Sequence, residues 1–147
     1  FSLASASMTF CMAAVASPAY FAMNLAPKTP HDLVAHRCIN MRFPTHGGLY
    51  VWEFERKGKP VNVRVDGQVV LNSSPHIVLA ALEGLGIAFL PEDEFAPHIE
   101  QGRLVRVMQE WCVPFDGYYL YYPNRRQPSP AFSRVVAALR FSEPKRQ

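Results

Sequence analysis

Leu71-Asn72-Ser73-Ser74-Pro75-His76-Ile77-Val78-Leu79-Ala80-Ala81-Leu82-Glu83-Gly84-Leu85-Gly86-Ile87-Ala88-Phe89-Leu90-Pro91-Glu92-Asp93-Glu94 carries a dense run of helix and strand signals. A hydroxyl residue before proline suits a helix start: the side-chain oxygen accepts an orphan backbone N–H, and proline gives up a donor that had no partner. Ile77, Val78, Ala81, Leu82 and Leu85 then make a wide apolar stripe, and Gly84 and Gly86 tolerate the left-handed conformation of a helix end. Ile87 to Leu90 is a short apolar run of the kind buried on both sheet faces. Three acids after Pro91 complement the dipole of another helix's first turn. A strand, helix, strand, helix succession at this spacing predicts an α/β domain.

The same punctuation recurs at Ser17-Pro18, Thr29-Pro30 and Ser129-Pro130. Asp32, three residues after Thr29, can complete a capping box. After Ser129-Pro130, Phe132, Val135, Val136 and Leu139 fall on one helical face. Val51 to Glu55 and Val61 to Val65 alternate around Lys57-Gly58-Lys59, which predicts an antiparallel hairpin with one wet face. Met12 to Ala16 and Leu120 to Tyr122 read as buried strands and Arg37 to Asn40 as a further strand. The sheet is therefore expected to be mixed. Pro123 to Pro130 reads as an exposed loop and Ser142 to Gln147 as a fraying terminus.

With 147 residues, about half of them apolar (49%), the chain can bury a core unaided. The net charge of +3 is scattered among acids and forms no stripe for a phosphate backbone, so direct nucleic-acid binding is not expected. Cys11, Cys38 and Cys112 show no disulfide or CxxC spacing and read as buried thiols of a reducing compartment. Residues 1 to 27 carry no charge, yet Ser, Thr, Asn and Pro interrupt them and no basic segment leads them, so neither a membrane span nor a signal peptide is expected.

No catalytic or metal constellation emerges. His31, His36, His46, His76 and His98 lie away from metal-ligand partners and read as surface or capping residues. Gly84-Leu85-Gly86 lacks the third glycine and the preceding strand of a dinucleotide fingerprint. No GxSxG elbow or Walker lysine is present. Two polar junctions stay open. Asn72-Ser73-Ser74 stands where a strand hands over to a helix, which suits a small anion as well as it suits simple capping. Arg42-Phe43-Pro44 sets a guanidinium beside an aromatic, where Arg42 either pairs an acidic ligand or is a solvated loop residue.

An ordered string of motifs resembles one family. Val15-Ala16-Ser17-Pro18-Ala19-Tyr20-Phe21 and Thr29-Pro30-His31-Asp32-Leu33-Val34-Ala35-His36-Arg37-Cys38-Ile39 are similar to the crossover strand and opening helices of the effector-binding domain of LysR-type regulators. The likeness continues through Trp52-Glu53-Phe54, Val65-Asp66-Gly67, Ala80 to Pro91, Gly102-Arg103-Leu104-Val105 and Leu120-Tyr121-Tyr122-Pro123, and covers nearly everything from Met12 to Phe141.

The resemblance implies a type 2 periplasmic-binding-protein-like α/β fold of two lobes with mixed sheets, the first lobe incomplete. Residues 1–16 would be a remnant of that lobe with the crossover strand, 17–108 the second lobe, and 109–147 the return segment. It also implies a bacterial, cytoplasmic regulator, not an enzyme, without cofactor, that binds a small and most simply anionic effector between its lobes through Arg42, Phe43, Pro44, Asn72, Ser73 and Ser74. DNA would be bound only by a winged helix-turn-helix domain with no counterpart here, and an incomplete lobe exposing Val135, Val136 and Leu139 is expected to self-associate. A transporter's solute-binding protein shares the lobed architecture but would need an export signal. An enzyme on a related two-lobe fold would need a catalytic constellation, and a truncated dimerisation module would bind no ligand.

Overall fold

The computed structural model describes residues 2–5, 11–114, 119–122 and 129–139. Its chain forms two compact units, Cys11–Val113 and, separately, Phe1–Phe10 with Pro114–Gln147. In the second of these, β1 (Ser2–Ser5) pairs antiparallel with β9 (Tyr119–Tyr122), from Ser2 opposite Tyr122 to Ser5 opposite Tyr119. The sequence reading anticipated β9 but not β1. The Ser129 hydroxyl caps helix α4 (Pro130–Leu139), accepting the Phe132 N–H at 3.2 Å. Val136 is buried and Val135 is 53% exposed, so the expected exposed face holds at Val135 and not at Val136. The Leu139 side chain, nearly all of the Pro123 to Pro130 loop and the Ser142 to Gln147 terminus lie outside the described residues.

The central unit is built on β2 (Met12–Ala16), flanked by β7 (Ala88–Pro91) and β8 (Val105–Val107), both antiparallel to it. A parallel pair, β3 (Ile39–Met41) and β6 (Val69–Leu71), joins β7 through a parallel bridge between Cys38 and Ile87. Ile39 N–H donates to the Ile87 carbonyl at 2.8 Å, and Ile87 N–H to the Arg37 carbonyl at 2.9 Å. The spatial order is therefore β6-β3-β7-β2-β8, with only β2 running the other way. This is the mixed sheet expected. The boundaries between the compact units fall at 10/11 and 113/114, with β2 inside the central unit's sheet and Arg56 stacked on Trp111 at 5.1 Å.

Strand alternation divides the core in two. Ala13, Val15, Ile39, Ala88 and Leu90 face α2 (Ser74–Leu82) and α3 (Glu92–Glu100), and Phe95 and Leu104 close that layer. Ala14, Ala16, Cys38, Ile87 and Phe89 face the opposite layer with Trp52, Phe54, Tyr20 and Leu33. That second layer comprises α1 (Pro18–Met23), a 3-10 helix at Pro30–Ala35, and the hairpin of β4 (Trp52–Arg56) and β5 (Lys59–Val63). Burying a side chain such as Trp52 or Phe95 contributes roughly 2 to 3 kcal/mol.

Local chemistry accounts for the element ends. Ser17 caps α1 as expected, its hydroxyl accepting the Tyr20 N–H at 3.2 Å. After Thr29-Pro30 the chain makes a 3-10 rather than an α-helix, with the Asp32 carboxylate accepting the Lys28 and Thr29 N–H groups, each at 2.9 Å. α2 ends in the paired hydrogen bonds of a Schellman motif, Leu85 to Ala80 and Gly84 to Ala81, both 3.1 Å, with Gly84 at φ +76. The hairpin turn is shorter than expected. Arg56 pairs with Lys59, leaving Lys57 (φ 51) and Gly58 (φ 74) as a two-residue turn whose positive angles match the strand twist.

Candidate functional site

Parallel pairing brings the two open junctions together. Met41 at the end of β3 lies opposite Leu71 at the end of β6, and the Arg42 N–H donates to the Leu71 carbonyl at 2.8 Å. Arg42-Phe43-Pro44 and Asn72-Ser73-Ser74 thus leave the sheet side by side at the carboxyl ends of adjacent parallel strands. In open α/β sheets this edge is where ligands bind. β7 ends at the same edge, where Pro91 hands over to α3.

The Arg42 segment is an exposed loop closed by its own backbone hydrogen bonds. Arg42 bridges to Leu49, the Phe43 N–H donates to the Gly48 carbonyl at 2.9 Å, and the Gly47 N–H returns to the Phe43 carbonyl at 3.0 Å. The exposed Arg42 side chain spends one amino group, Nη1, on the Gly47 carbonyl at 2.8 Å, which orients the rest of the guanidinium. The half-buried Phe43 ring lies 4.8 Å from His46 and meets Tyr50 edge-on at 5.6 Å, and Tyr50 stacks over core Phe89. Burial of the Tyr50 phenol pushes its pKa up. Pro44 is exposed at the loop tip.

The Asn72 segment departs from the expected capping pattern. Ser74 is already the first helical residue, so the cap position is Ser73, one residue earlier than at the other Ser-Pro pairs. Ser73 has extended backbone angles and its carbonyl accepts the Ile77 N–H at 3.1 Å, but no side chain caps this helix. Asn72 is exposed, and Ser73 and Ser74 are half-buried. The Ser73 side chain makes no capping hydrogen bond, and the three polar residues stand beside first-turn N–H groups that have no intrahelical acceptor.

Two exposed histidines, His46 and His76, also lie near this edge; His46 closes the junction that the sequence offered at Arg42, and nothing in the sequence singled out His76. His46 Nδ1 accepts the Gly48 N–H at 3.1 Å, which leaves its exposed ring able to donate from Nε2. His76 sits exposed in the first turn of α2. His36, read as surface or capping, is the C-cap residue of the 3-10 helix, its N–H donating to the Leu33 carbonyl at 3.1 Å, and its half-buried ring lies with Nδ1 2.9 Å from the Tyr20 hydroxyl. Cys38 and Cys112 are buried as expected while Cys11 is half-exposed, and burial pushes the Cys38 thiol up to about 12. Among the described residues no His, Cys, Asp and Glu cluster could hold a metal, and no helix is long and apolar enough to cross a membrane.

Comparison with known proteins matches this architecture. Residues 8–142 match the family described as the LysR substrate binding domain. A Pseudomonas aeruginosa protein named "Putative transcriptional regulator" is 67% identical over 134 residues, covering 91% of this chain and 44% of that protein. The HTH-type transcriptional regulator PgrR of Escherichia coli is 38% identical over 130 residues, covering 88% of this chain and 44% of its own length. The chain thus spans less than half of these curated relatives.

Among solved structures, the regulatory domain of AphB from Vibrio vulnificus is 27% identical with a TM-score of 0.72, over 93% of this chain and 69% of that one. Full-length AphB of Vibrio cholerae, described as a member of the LTTR protein family, shares the fold at a TM-score of 0.75 and 24% identity, over 95% of this chain and 48% of that one. The two-layered mixed sheet, the paired strand ends and the match across residues 8–142 agree: this chain belongs to the LysR substrate-binding domain family, a regulatory and not a catalytic one.

Proposed function

We propose that the chain senses a small anionic effector for a bacterial, cytoplasmic transcriptional regulator, in the cleft that the family resemblance places between two lobes. Arg42 and the first turn of α2 hold the anion, with Ser73, Ser74 and Asn72 as hydrogen-bonding groups and Phe43 and Pro44 as the apolar wall. The observation that carries this reading is the 2.8 Å bond from Arg42 N–H to the Leu71 carbonyl, which sets a guanidinium and uncapped helix N–H groups at one sheet edge. DNA binding belongs to a part of the regulator outside this chain, and self-association is the route by which sensing reaches it. Each tenfold preference of the effector for one arrangement over another contributes about 1.4 kcal/mol to that shift.

The test is thermal denaturation of this chain with a panel of small mono- and dicarboxylates, alongside Arg42→Ala and Ser73→Trp. A carboxylate at a hundred times its Kd adds about 2.7 kcal/mol, which for a chain of this size raises Tm by roughly 5 to 10 °C. Both variants should lose that rise while keeping the Tm of the ligand-free protein. A carboxylate that stabilises the variants as much as the parent would overturn the site, and no response to any carboxylate would overturn anion sensing by this chain.

A further inference from the structure

Tyr50 is not among the proposed ligand contacts, yet the Arg42 loop rests on it. Among residues 42 to 49, Phe43 carries the one side chain that is not exposed. Backbone bonds join the two legs of the loop: the Tyr50 N–H donates to the Met41 carbonyl at 2.8 Å, Arg42 bridges to Leu49, and the Phe43 N–H donates to the Gly48 carbonyl at 2.9 Å. Residues 44 to 47 form the exposed turn beyond those bonds, and the Arg42 guanidinium leans on it through the Gly47 carbonyl at 2.8 Å. The direction of Arg42 therefore follows the position of this turn.

A row of rings runs from the turn into the core. His46 lies 4.8 Å from Phe43, and Phe43 meets Tyr50 at 5.6 Å with their planes 87° apart. Tyr50 lies over Phe89 at 6.3 Å with the planes 18° apart. Phe89 is buried in β7 and also packs against Trp52 at 5.1 Å and Phe54 at 4.8 Å. Tyr50, Trp52 and Phe54 are alternate residues and share one face. Trp52 and Phe54 are buried and Tyr50 is half-buried, so Tyr50 is the ring at which the core ends and the loop begins.

We propose that Tyr50 is a positioning residue for the effector site: its ring, seated on Phe89, fixes Phe43 and with it the turn against which Arg42 is held, without touching a ligand. This rests on the reading of Arg42 and Phe43 as ligand contacts. The ring and not the hydroxyl plays the part, because a ring face meets Phe89 and a ring edge meets Phe43. Leucine at this position would fill apolar volume but has no face or edge to set the angle of Phe43.

Amide hydrogen exchange on this chain, measured with no effector present, tests the role. In Tyr50→Leu the Phe43 and Gly47 amides, whose acceptors lie within the loop, should exchange roughly 2- to 10-fold faster beyond any change in the β2 and α2 amides, the loss of one aromatic pair. Tyr50→Phe should match the parent at all of these amides. Phe43→Leu, which leaves the stack on Phe89 in place, should speed the Gly47 amide by a similar factor. A loss in Tyr50→Leu no greater in the loop than in β2 and α2 would overturn the proposal, as would a Tyr50→Phe loop as loose as that of Tyr50→Leu. Because no effector enters the measurement, either result would leave anion binding at Arg42 standing, and a carboxylate panel without response would leave the exchange result standing.

Discussion

Gly67→Ala is the substitution whose cost the structure specifies most closely. A Cβ at Gly67 overlaps the Cys38 carbonyl oxygen and comes within 2.9 Å of its carbon and 3.0 Å of its nitrogen. All three are backbone atoms at the entry to β3, so no side-chain rotation relieves the clash. The Val65–Gly67 segment has to move away, which endangers the bonds from Cys38 N–H to the Asp66 carbonyl and from the buried Asn40 amide to the Val65 carbonyl, each 3.0 Å. Two buried hydrogen bonds at about 1 kcal/mol each, with the unsatisfied groups they leave, come to roughly 2 to 4 kcal/mol. That corresponds to a fall in Tm of about 5 to 15 °C. Urea unfolding followed by tryptophan fluorescence, from buried Trp52 and half-buried Trp111, gives the midpoint and slope together. The midpoint should fall with the slope unchanged. Gly58→Ala is the control, because Gly58 is at φ +74 with nothing within 4 Å of the added Cβ, and its cost should be only about 1 kcal/mol. A Gly67→Ala cost no larger than that of Gly58→Ala would refute the steric reasoning.

Two further outcomes follow from single residues. Lys57 holds φ 51 in the hairpin turn, a conformation asparagine adopts more readily, so Lys57→Asn should stabilise by about 0.5 to 1 kcal/mol, read as a higher urea midpoint. The reverse sign would mean that the turn is not the two-residue type seen here. Burial holds the His36 pKa below its ordinary 6.5, against the opposing effects of the Asp32 carboxylate and the Leu25 backbone. Neutral His36 is the form the fold favours, since Arg37 N–H donates to the Tyr20 oxygen and leaves the hydroxyl proton for Nδ1. Its contribution is complete above pH 6.5 and is lost as pH falls through the lower folded-state pKa. In His36→Gln the stability lost between pH 6.5 and 5 should shrink, and an identical pH profile for both proteins would exclude His36 as the source. Asp32, whose pKa is lowered by the Thr29 and Lys28 N–H groups, acts in a separate window below 3.8.

What was legible in the sequence was what local chemistry dictates. Short apolar runs in Met12–Ala16 and Ile87–Leu90 marked strands covered on both faces, and the two core layers divide those residues between them. Glycine at 84 and hydroxyl groups at 17 and 129 marked helix ends that the chain uses. Where the reading slipped, a non-local partner decided the outcome. β1 forms only because β9, more than a hundred residues away, supplies its ladder, and nothing in Ser2–Ser5 alone distinguishes it from a loop.

The candidate site illustrates the same limit from the other side. Local spacing left Arg42 as ligand or loop, and Asn72-Ser73-Ser74 as anion site or cap, because neither segment carries information about the other. The two segments meet once β3 pairs with β6. The pairing sets Arg42 against Leu71, and α2 then begins at Ser74, one residue early, which relieves Ser73 of the side-chain cap that Ser17 and Ser129 must make. The Arg106–Glu92 ion pair was invisible for an equivalent reason: Glu92 read correctly as a first-turn acid, but the arginine it holds is 14 residues on and reaches a carbonyl 94 residues back. In a mixed sheet whose strands pair out of chain order, the edge that gathers polar groups is set by strand direction, and strand direction is the property that a linear reading of residues carries least.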